Sequence, residues 1–224
     1  MTSVFIGGSR AISRLNPIIR ERLDDLMHRG CLVLIGDANG ADKMVQQYFA
    51  DQGYRDVIVY CMSRFRNNVG EWPIKKVESD SKTKDFAYYA AKDLAMAQDA
   101  RCGVMLWDGA SKGTLNNIQN LIGSGKKVLV YLSAAKSFIK LTDQSDLDRL
   151  LRQCNPREIA EAQGQISRKL SAPPQLSLNP PALAAIGSSG RYAEPIGTLF
   201  FVRDEAGPKM ATTATMDAKW FKNQ

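Results

Sequence analysis

The sequence has little of what marks several common protein classes. Its four cysteines include no Cys-x-x-Cys pair and its only histidine is His28, so neither a disulfide framework nor a usual zinc site is expected. The longest apolar runs, such as residues 128–132, are far shorter than the roughly 20 residues of a membrane span. No basic region precedes the apolar N-terminal residues, so a secretory signal is not expected. We therefore expect a cytoplasmic protein with no metal, cofactor or membrane partner.

Basic residues exceed acidic ones, 30 against 23, which gives a formal charge of +7. Such an excess favours an anionic partner but does not choose among a nucleotide, a nucleic acid and a membrane surface. Residues 171–224 are nearly neutral and hold six of the nine prolines, with much alanine, glycine and serine. We interpret 171–224 as a partly disordered, flexible tail with one candidate strand at 197–202.

Residues 1–135 alternate between short apolar runs and amphipathic helical patterns. The apolar runs are predicted strands, and they lie at residues 4–7, 31–35, 57–62, 104–107 and 128–132. Unbroken apolar strands separated by helices are typical of a parallel sheet covered on both faces. The pattern predicts an α/β fold, a Rossmann-like doubly wound parallel sheet. Residues 136–170 are predicted to form a C-terminal helical extension, with helices at 144–152 and 156–170.

Three of the predicted strands end in glycine-bearing turns. The sequence there is Gly-Gly-Ser-Arg at 7–10, Gly-Asp-Ala-Asn-Gly-Ala-Asp at 36–42, and Asp-Gly-Ala-Ser-Lys-Gly-Thr at 108–114. Ligands of open parallel sheets bind at the carboxyl ends of the strands, and helix N-termini favour anions. No Gly-x-Gly-x-x-Gly follows the first strand and no Walker A motif is present. The turns predict a phosphate site that belongs neither to a dedicated NAD enzyme nor to a P-loop NTPase.

The three turns resemble those of the SLOG superfamily, Rossmann-like domains related to the LOG phosphoribohydrolases and to the DNA-processing protein A. The match lies with a bacterial and phage subgroup that carries Gly-Ser-Arg and Gly-x-Ala-x-Gly-Ala-Asp motifs, and it covers residues 3–135. The resemblance implies a nucleotide or nucleotide-derived ligand such as ADP-ribose. It also implies the residues that bind the ligand, which are Gly8, Ser9, Arg10, Gly36, Gly40, Asp42, Lys92, Gly113 and Thr114.

The sequence departs from the hydrolase members of that superfamily at one position. Asn117 stands where they carry a glutamate that serves glycosidic cleavage, and an amide cannot exchange a proton as a carboxylate does. Asp42, Asp93 and Asp108 are the carboxylates that would have to replace it. Catalysis of the phosphoribohydrolase type is therefore an open question.

The segment 63–84 combines six basic residues with Phe65 and Trp72. It is interpreted as a mobile lid over a polyanionic ligand, as a groove for a single strand with stacking aromatic rings, or as a solvated loop with Trp72 in the core. Tyr88 and Tyr89 follow on the next helix, and one of their rings is a candidate for stacking on a base, with core packing as the alternative. Trp107 has the same two interpretations, pocket or core.

Three functional hypotheses follow. The first is a protein that senses or carries a small phosphorylated ligand, such as a nucleotide or an ADP-ribose-like molecule. The second is a nucleotide N-glycosidase that uses a non-standard carboxylate. The third is a DNA-binding or DNA-processing module, whose binding would weaken steeply with salt; it ranks last because only fold analogy and the basic segment support it. The sequence also leaves open whether the protein forms a homo-oligomer.

Overall fold

The computed structural model of the protein describes residues 1–79 and 86–170. The strands are β1 (Ser3–Gly8), β2 (Leu32–Gly36), β3 (Val57–Cys61), β4 (Ile74–Lys76), β5 (Cys102–Trp107), β6 (Val128–Leu132) and β7 (Ser137–Leu141). The helices are α1 (Pro17–His28), α2 (Ala41–Asp51), α3 (Phe86–Asp99), α4 (Lys112–Gly123), α5 (Gln144–Leu151) and α6 (Pro156–Leu170).

The strands form one seven-stranded sheet in the order β4-β3-β2-β1-β5-β6-β7. All neighbouring pairs are parallel except β6 and β7, which are antiparallel. The chain starts in the middle at β1, builds the sheet outward to β4, and then returns through α3 to β5 on the other side of β1. This confirms the predicted Rossmann-like, doubly wound α/β fold, and it places the switch point of the strand order between β1 and β5.

Side chains that alternate along the strands separate two buried layers. Phe5, Leu34, Met105 and their counterparts in the other strands pack against α3, α4, α5 and α6 in one hydrophobic cluster. The intervening strand residues, such as Ile6, are also buried, and so are the apolar side chains of α1 and α2. Because helices cover both faces, the strands are apolar on both sides, which is why their sequences show no period-two alternation.

Two strands at the edges of the sheet were not predicted from the sequence. β4 is only Ile-Lys-Lys, and in β7, which is Ser-Phe-Ile-Lys-Leu, only the last residue is buried. Edge strands carry charged residues because one side of each strand faces solvent and must resist further pairing. The predicted helical extension at 136–170 therefore begins with a strand. Its two helices then bury Leu147, Ile159 and Ile166 in the main hydrophobic cluster.

The remaining expectations about organisation concern the cysteines and the tail. All four cysteines lie in the described residues and none forms a disulfide. Within residues 1–79 and 86–170 no helix is long and apolar enough to cross a bilayer. The predictions for the tail at 171–224, including the strand at 197–202, lie outside the described residues, and so do Lys82 and Lys84 of the basic segment.

Candidate functional site

A cavity of about 560 Å³ lies at the carboxyl ends of the central strands. Its walls come from the turns after β1 and β5, from the start of α2, from one face of α3 and from the first turns of α4. This volume is within the range typical of small-molecule sites, and switch points are where such sites are expected in doubly wound sheets.

The turn after β1 packs closely against its surroundings because of two glycines. A Cβ at Gly8 would lie 2.5 Å from the carbonyl oxygen of Leu106, and a Cβ at Gly40 would lie 2.4 Å from Cα of Arg10. Gly40 also has a φ of +81°, which other residues rarely adopt. These glycines let the turn after β1 pack against the turn that precedes α2, and they set the backbone of Arg10 at the edge of the cavity.

Ser9 joins the first and third turns instead of facing the cavity. It is fully buried, its Oγ donates to Asp108 Oδ1 at 2.9 Å, and it lies 3.2 Å from Thr114 Oγ1. Asp108 Oδ1 also accepts the backbone N–H groups of Ala110 and Ser111, at 3.1 and 2.8 Å. This carboxylate oxygen is therefore engaged in shaping the turn.

The N-terminus of α4 opens into the cavity. Ser111 is the N-cap, and its side chain accepts the N–H of Thr114. The N–H groups of Lys112 and Gly113 have no acceptor within the helix, as at any first helical turn. A Cβ at Gly113 would meet no atom within 4 Å, so the space in front of this turn is open.

A buried ammonium group lies at the floor of the cavity. Lys92 is 3% exposed, and its Nζ donates to Asp93 Oδ1 at 2.6 Å. Asp42 approaches it from α2: a Cβ at Gly36 would lie 2.5 Å from Asp42 Oδ2 and 2.8 Å from Lys92 Nζ. Gly36 therefore contributes by leaving room for this charge cluster, and it does not line the cavity itself.

Burial and neighbouring charge oppose each other in the cluster. Burial raises the pKa of Asp42 to about 6, although Lys92 and the N–H of Ala38 act in the opposite direction. Burial alone would lower the pKa of Lys92, but the Asp93 and Asp42 carboxylates outweigh it and raise the pKa. Lys92 is therefore a cation at neutral pH, and Asp42 exchanges a proton near pH 6.

We expect Asp42 to make the stability of the protein fall as the pH rises from about 4 to about 6. The folded protein holds a proton there that the unfolded chain has released, so each unit of pKa difference corresponds to about 1.4 kcal/mol. An Asp42→Asn variant should lack this part of the slope, which urea unfolding at several pH values would measure. Asp51→Asn, at the exposed end of α2, is the control; equal slopes in all three proteins would contradict the expectation.

Asn117 holds the second carboxylate of the cluster. With its amide oriented as the neighbouring acceptors require, its nitrogen donates to Asp93 Oδ2 at 3.3 Å and to the carbonyl of Gly113 at 3.2 Å. The residue at the position of the hydrolases' glutamate thus binds Asp93 in place. Both oxygens of Asp93 are engaged, one by Lys92 and the other by Asn117.

The segment after β3 is fastened to the site by buried polar residues. Asp37 accepts Nη2 and Nε of Arg66 at 2.8 and 3.3 Å, and its carbonyl accepts Asn67. Gln46 accepts the N–H of Val69 at 3.0 Å and donates to the carbonyl of Gly36. Trp72 is 4% exposed, as in the core interpretation. Residues 66–72 are therefore fixed to the rest of the domain and do not form a free lid.

The structure brings most of the predicted site residues together. Those lining the cavity are Gly8, Arg10, Asp42, Lys92, Asp93, Asp108, Gly113 and Thr114, whereas Ser9, Gly36 and Gly40 support it from behind. Phe86 also lines the cavity and was not expected there, and Lys112 of the third predicted turn lines it together with Arg66 and Tyr89, whose roles the sequence left open. Trp107 is fully buried in the core. Among residues 1–79 and 86–170, no group of three or more His, Cys, Asp or Glu could hold a metal ion.

The chain was compared with family models, curated proteins and solved structures. No family model matches the sequence, and no curated protein matches it. A solved structure of DNA processing protein A from Helicobacter pylori, from a study of its single-stranded DNA binding mode, is similar to this chain with a TM-score of 0.48. The two share 17% sequence identity, over 75% of this chain and 80% of that chain.

Proposed function

We propose that this protein binds a nucleotide or a nucleotide-derived phosphorylated ligand in the cavity at the carboxyl edge of its sheet, as a sensor or carrier. One observation carries the proposal: the guanidinium of Arg10 and the open first turn of α4 at Gly113 border the same cavity. Arginine presents a planar fork that matches phosphate oxygens, and the first helical turn offers N–H groups and the positive end of its dipole.

Charge pairing within the cavity singles out Arg10 among the four cations of the wall. Arg66 is paired with Asp37, Lys92 with Asp93, and Lys112 Nζ donates to Gln165 at 2.7 Å. Arg10 is exposed, and among the described residues it has no hydrogen bond or ion pair. An unpartnered guanidinium breaks no existing hydrogen bond or ion pair when it turns to a ligand, so Arg10 is the side chain best placed to meet an incoming phosphate.

The arrangement of the motifs also supports membership of the SLOG superfamily as part of this proposal. In it, residues 1–135 are the nucleotide-binding domain and residues 136–170 an extension that packs on its core. The Gly-Ser-Arg turn, the Gly-x-Ala-x-Gly-Ala-Asp turn and the α4 turn meet at one cavity, as the resemblance implies. The ligand would be a cytoplasmic mononucleotide or an ADP-ribose-like molecule.

The proposal is tested by ligand release and thermal shift. Protein purified under native conditions would be denatured, and the released small molecules identified by mass spectrometry. We expect a phosphorylated compound, and we expect mononucleotides or ADP-ribose at 100 times their Kd to stabilise the protein by about 2.7 kcal/mol, read as a rise in Tm. No released phosphate compound together with no shift across the panel would refute the proposal.

Cleavage of the N-glycosidic bond is the second candidate function, and Asp42 favours it. A buried carboxyl with a pKa of about 6 is poised to donate a proton near neutral pH, as a general acid must. Chromatography of the same incubations would reveal released free base. Loss of that release in Asp42→Asn would support catalysis, and recovery of intact nucleotide from wild-type protein would exclude it.

DNA binding is the third candidate, and the exposed part of the basic segment favours it. Phe65 is 54% exposed and follows the exposed Arg64, a combination that suits stacking and backbone contact with a single strand. Affinity for an oligonucleotide should then fall steeply between 50 and 200 mM salt. Salt-independent binding, or none, would exclude this function.

A further inference from the structure

The Arg66 guanidinium is held unusually firmly for a side chain on a loop. Two nitrogens of its fork donate to the carboxylate of Asp37, at 2.8 and 3.3 Å, and Asp37 also accepts the Arg66 backbone N–H at 3.0 Å. The Asp37 side chain is only 2% exposed, whereas the Arg66 side chain is 36% exposed. A buried anion thus fixes the plane of a guanidinium that faces the cavity.

The Arg66 guanidinium also lies over the ring of Tyr89. The Arg66 Cζ lies 5.2 Å from the centroid of the Tyr89 ring, and both residues line the cavity. The bonds to Asp37 occupy one edge of the fork, and the carbon of the guanidinium lies over the ring. What Arg66 still presents to the cavity is above all a flat, cationic, rigid surface, and nucleobases stack on guanidinium planes as they do on aromatic rings.

The rest of α3 continues this wall in a graded way. Phe86, Tyr89, Ala90 and Asp93 are spaced so that they share one face of the helix, and all of them line the cavity. Phe86 has Lys112 Nζ at 5.5 Å from its ring centroid, which makes a second ring covered by a cation. The wall is therefore aromatic at its start, small at Ala90 and acidic at Asp93.

The grading matches a nucleotide lying along the helix. Tyr89 and Asp93 are four residues apart, which is about 6 Å along a helix axis and close to the size of a ribose. A base at the aromatic end would place the sugar hydroxyls near the carboxylate of Asp93, with the phosphate left for Arg10 and the first turn of α4. A sugar phosphate without a base would leave the aromatic end of the wall unused.

We propose that the ligand carries a planar heteroaromatic base and that Arg66 and Tyr89 are its stacking platform and the residues that determine this specificity. The proposal rests on the proposed function, since it assigns the base-binding part of the same cavity. It predicts that at least one of AMP, GMP, CMP, UMP and ADP-ribose binds about tenfold or more tightly than ribose 5-phosphate, the size of effect that stacking of a base provides.

The test is isothermal titration of these probes with the wild type and four variants. Tyr89→Leu removes the ring, and Arg66→Lys keeps the charge beside Asp37 but removes the plane. Both should bring the affinity ratio of nucleotide to ribose 5-phosphate close to one while the affinity for ribose 5-phosphate stays unchanged. Tyr89→Phe keeps the ring and should keep the ratio, as should Phe65→Leu, which alters an exposed aromatic residue outside the cavity lining.

The outcomes separate this inference from the function on which it rests. If ribose 5-phosphate binds wild-type protein as tightly as every base-bearing probe, a phosphate site exists and the stacking platform is refuted. If Arg66→Lys weakens ribose 5-phosphate and nucleotides equally, Arg66 binds phosphate and the inference fails in that form. If no probe binds, the proposed function fails, and the inference fails with it.

Discussion

Replacement of Arg10 by alanine is expected to weaken nucleotide binding by about 10-fold to 150-fold and to remove most of the ligand-induced rise in Tm. The range corresponds to about 1.5–3 kcal/mol, which is the net contribution of hydrogen bonds to a charged group. Arg10 is exposed and, among the described residues, without a hydrogen bond or ion pair, so its whole contribution should be made to the ligand. Titration calorimetry with the best mononucleotide or ADP-ribose would measure the loss.

The same position allows a clean separation of binding from folding. Surface substitutions that break no contact usually change stability by less than about 0.5 kcal/mol, so Arg10→Ala should unfold without ligand at the wild-type urea concentration. Arg14→Ala is the matched control, because Arg14 is also exposed and lies outside the lining of the cavity. Wild-type affinity in Arg10→Ala, or an equal loss in Arg14→Ala, would show that general charge and not this guanidinium attracts the ligand.

The sequence predicts the interior of this fold better than its margins. The five central strands and the helices between them are visible because burial on both faces demands unbroken apolar runs such as 32–35 and 128–132. β4 and β7 are not recognisable in the sequence because one side of each strand faces solvent. Lys75 of β4 pairs with Asp99, and Phe138 of β7 packs on the ring of Tyr131 at the edge of the sheet. Neither strand has enough buried residues to create a pattern.

The candidate site, too, is only partly predictable from the sequence, but for a different reason. Glycines in the sequence indicate the turns that follow β1 and β2, because only glycine tolerates the close approaches at positions 8 and 40. A motif does not reveal which of its members face the cavity. Ser9, which was expected to bind the ligand, turns inward to Asp108 and Thr114. The pairing of Arg66 with Asp37 spans 29 residues, and such a contact is decided by tertiary packing and has no local signal.

The structure also shows how much of the +7 charge of the chain lies at the cavity. One interpretation of the sequence made the basic segment 63–84 a lid over a polyanionic ligand. Of the described basic residues in that segment, only Arg66 lines the cavity, and Lys75 pairs with Asp99. The cavity wall itself carries four basic and three acidic side chains. The proposed binding of an anion would therefore depend on which cations lack partners, and not on the total charge.

The buried cluster at the floor of the cavity leads to the largest expected effect on stability. Lys92→Met keeps the length of the side chain but leaves Asp93 and Asp42 without their cation. Removal of one partner from a buried ion pair typically costs about 3–5 kcal/mol, because the remaining charge is buried and uncompensated. We expect a loss of this size in the free energy of unfolding at pH 7, measured by urea denaturation.

The pH dependence of this loss identifies its cause. Without the ammonium group, the pKa of Asp42 should rise above the wild-type value of about 6, so the folded variant binds a proton that the unfolded chain releases. The free energy of unfolding of Lys92→Met should then fall as the pH rises through this raised pKa. Its difference from the wild-type value should be smaller at pH 5 than at pH 7. A loss that is the same at both pH values would indicate packing alone.

Two further variants test whether the ion pair itself causes the loss of stability. Lys43→Met, on the exposed side of α2, controls for the loss of a positive charge and should unfold like the wild type. In Lys92→Met/Asp93→Asn both members of the pair are removed, so much of the stability lost in Lys92→Met should return, because paired removal leaves less uncompensated charge. If the double variant is as unstable as Lys92→Met, the pairing of Lys92 with Asp93 is not what stabilises the floor of the cavity.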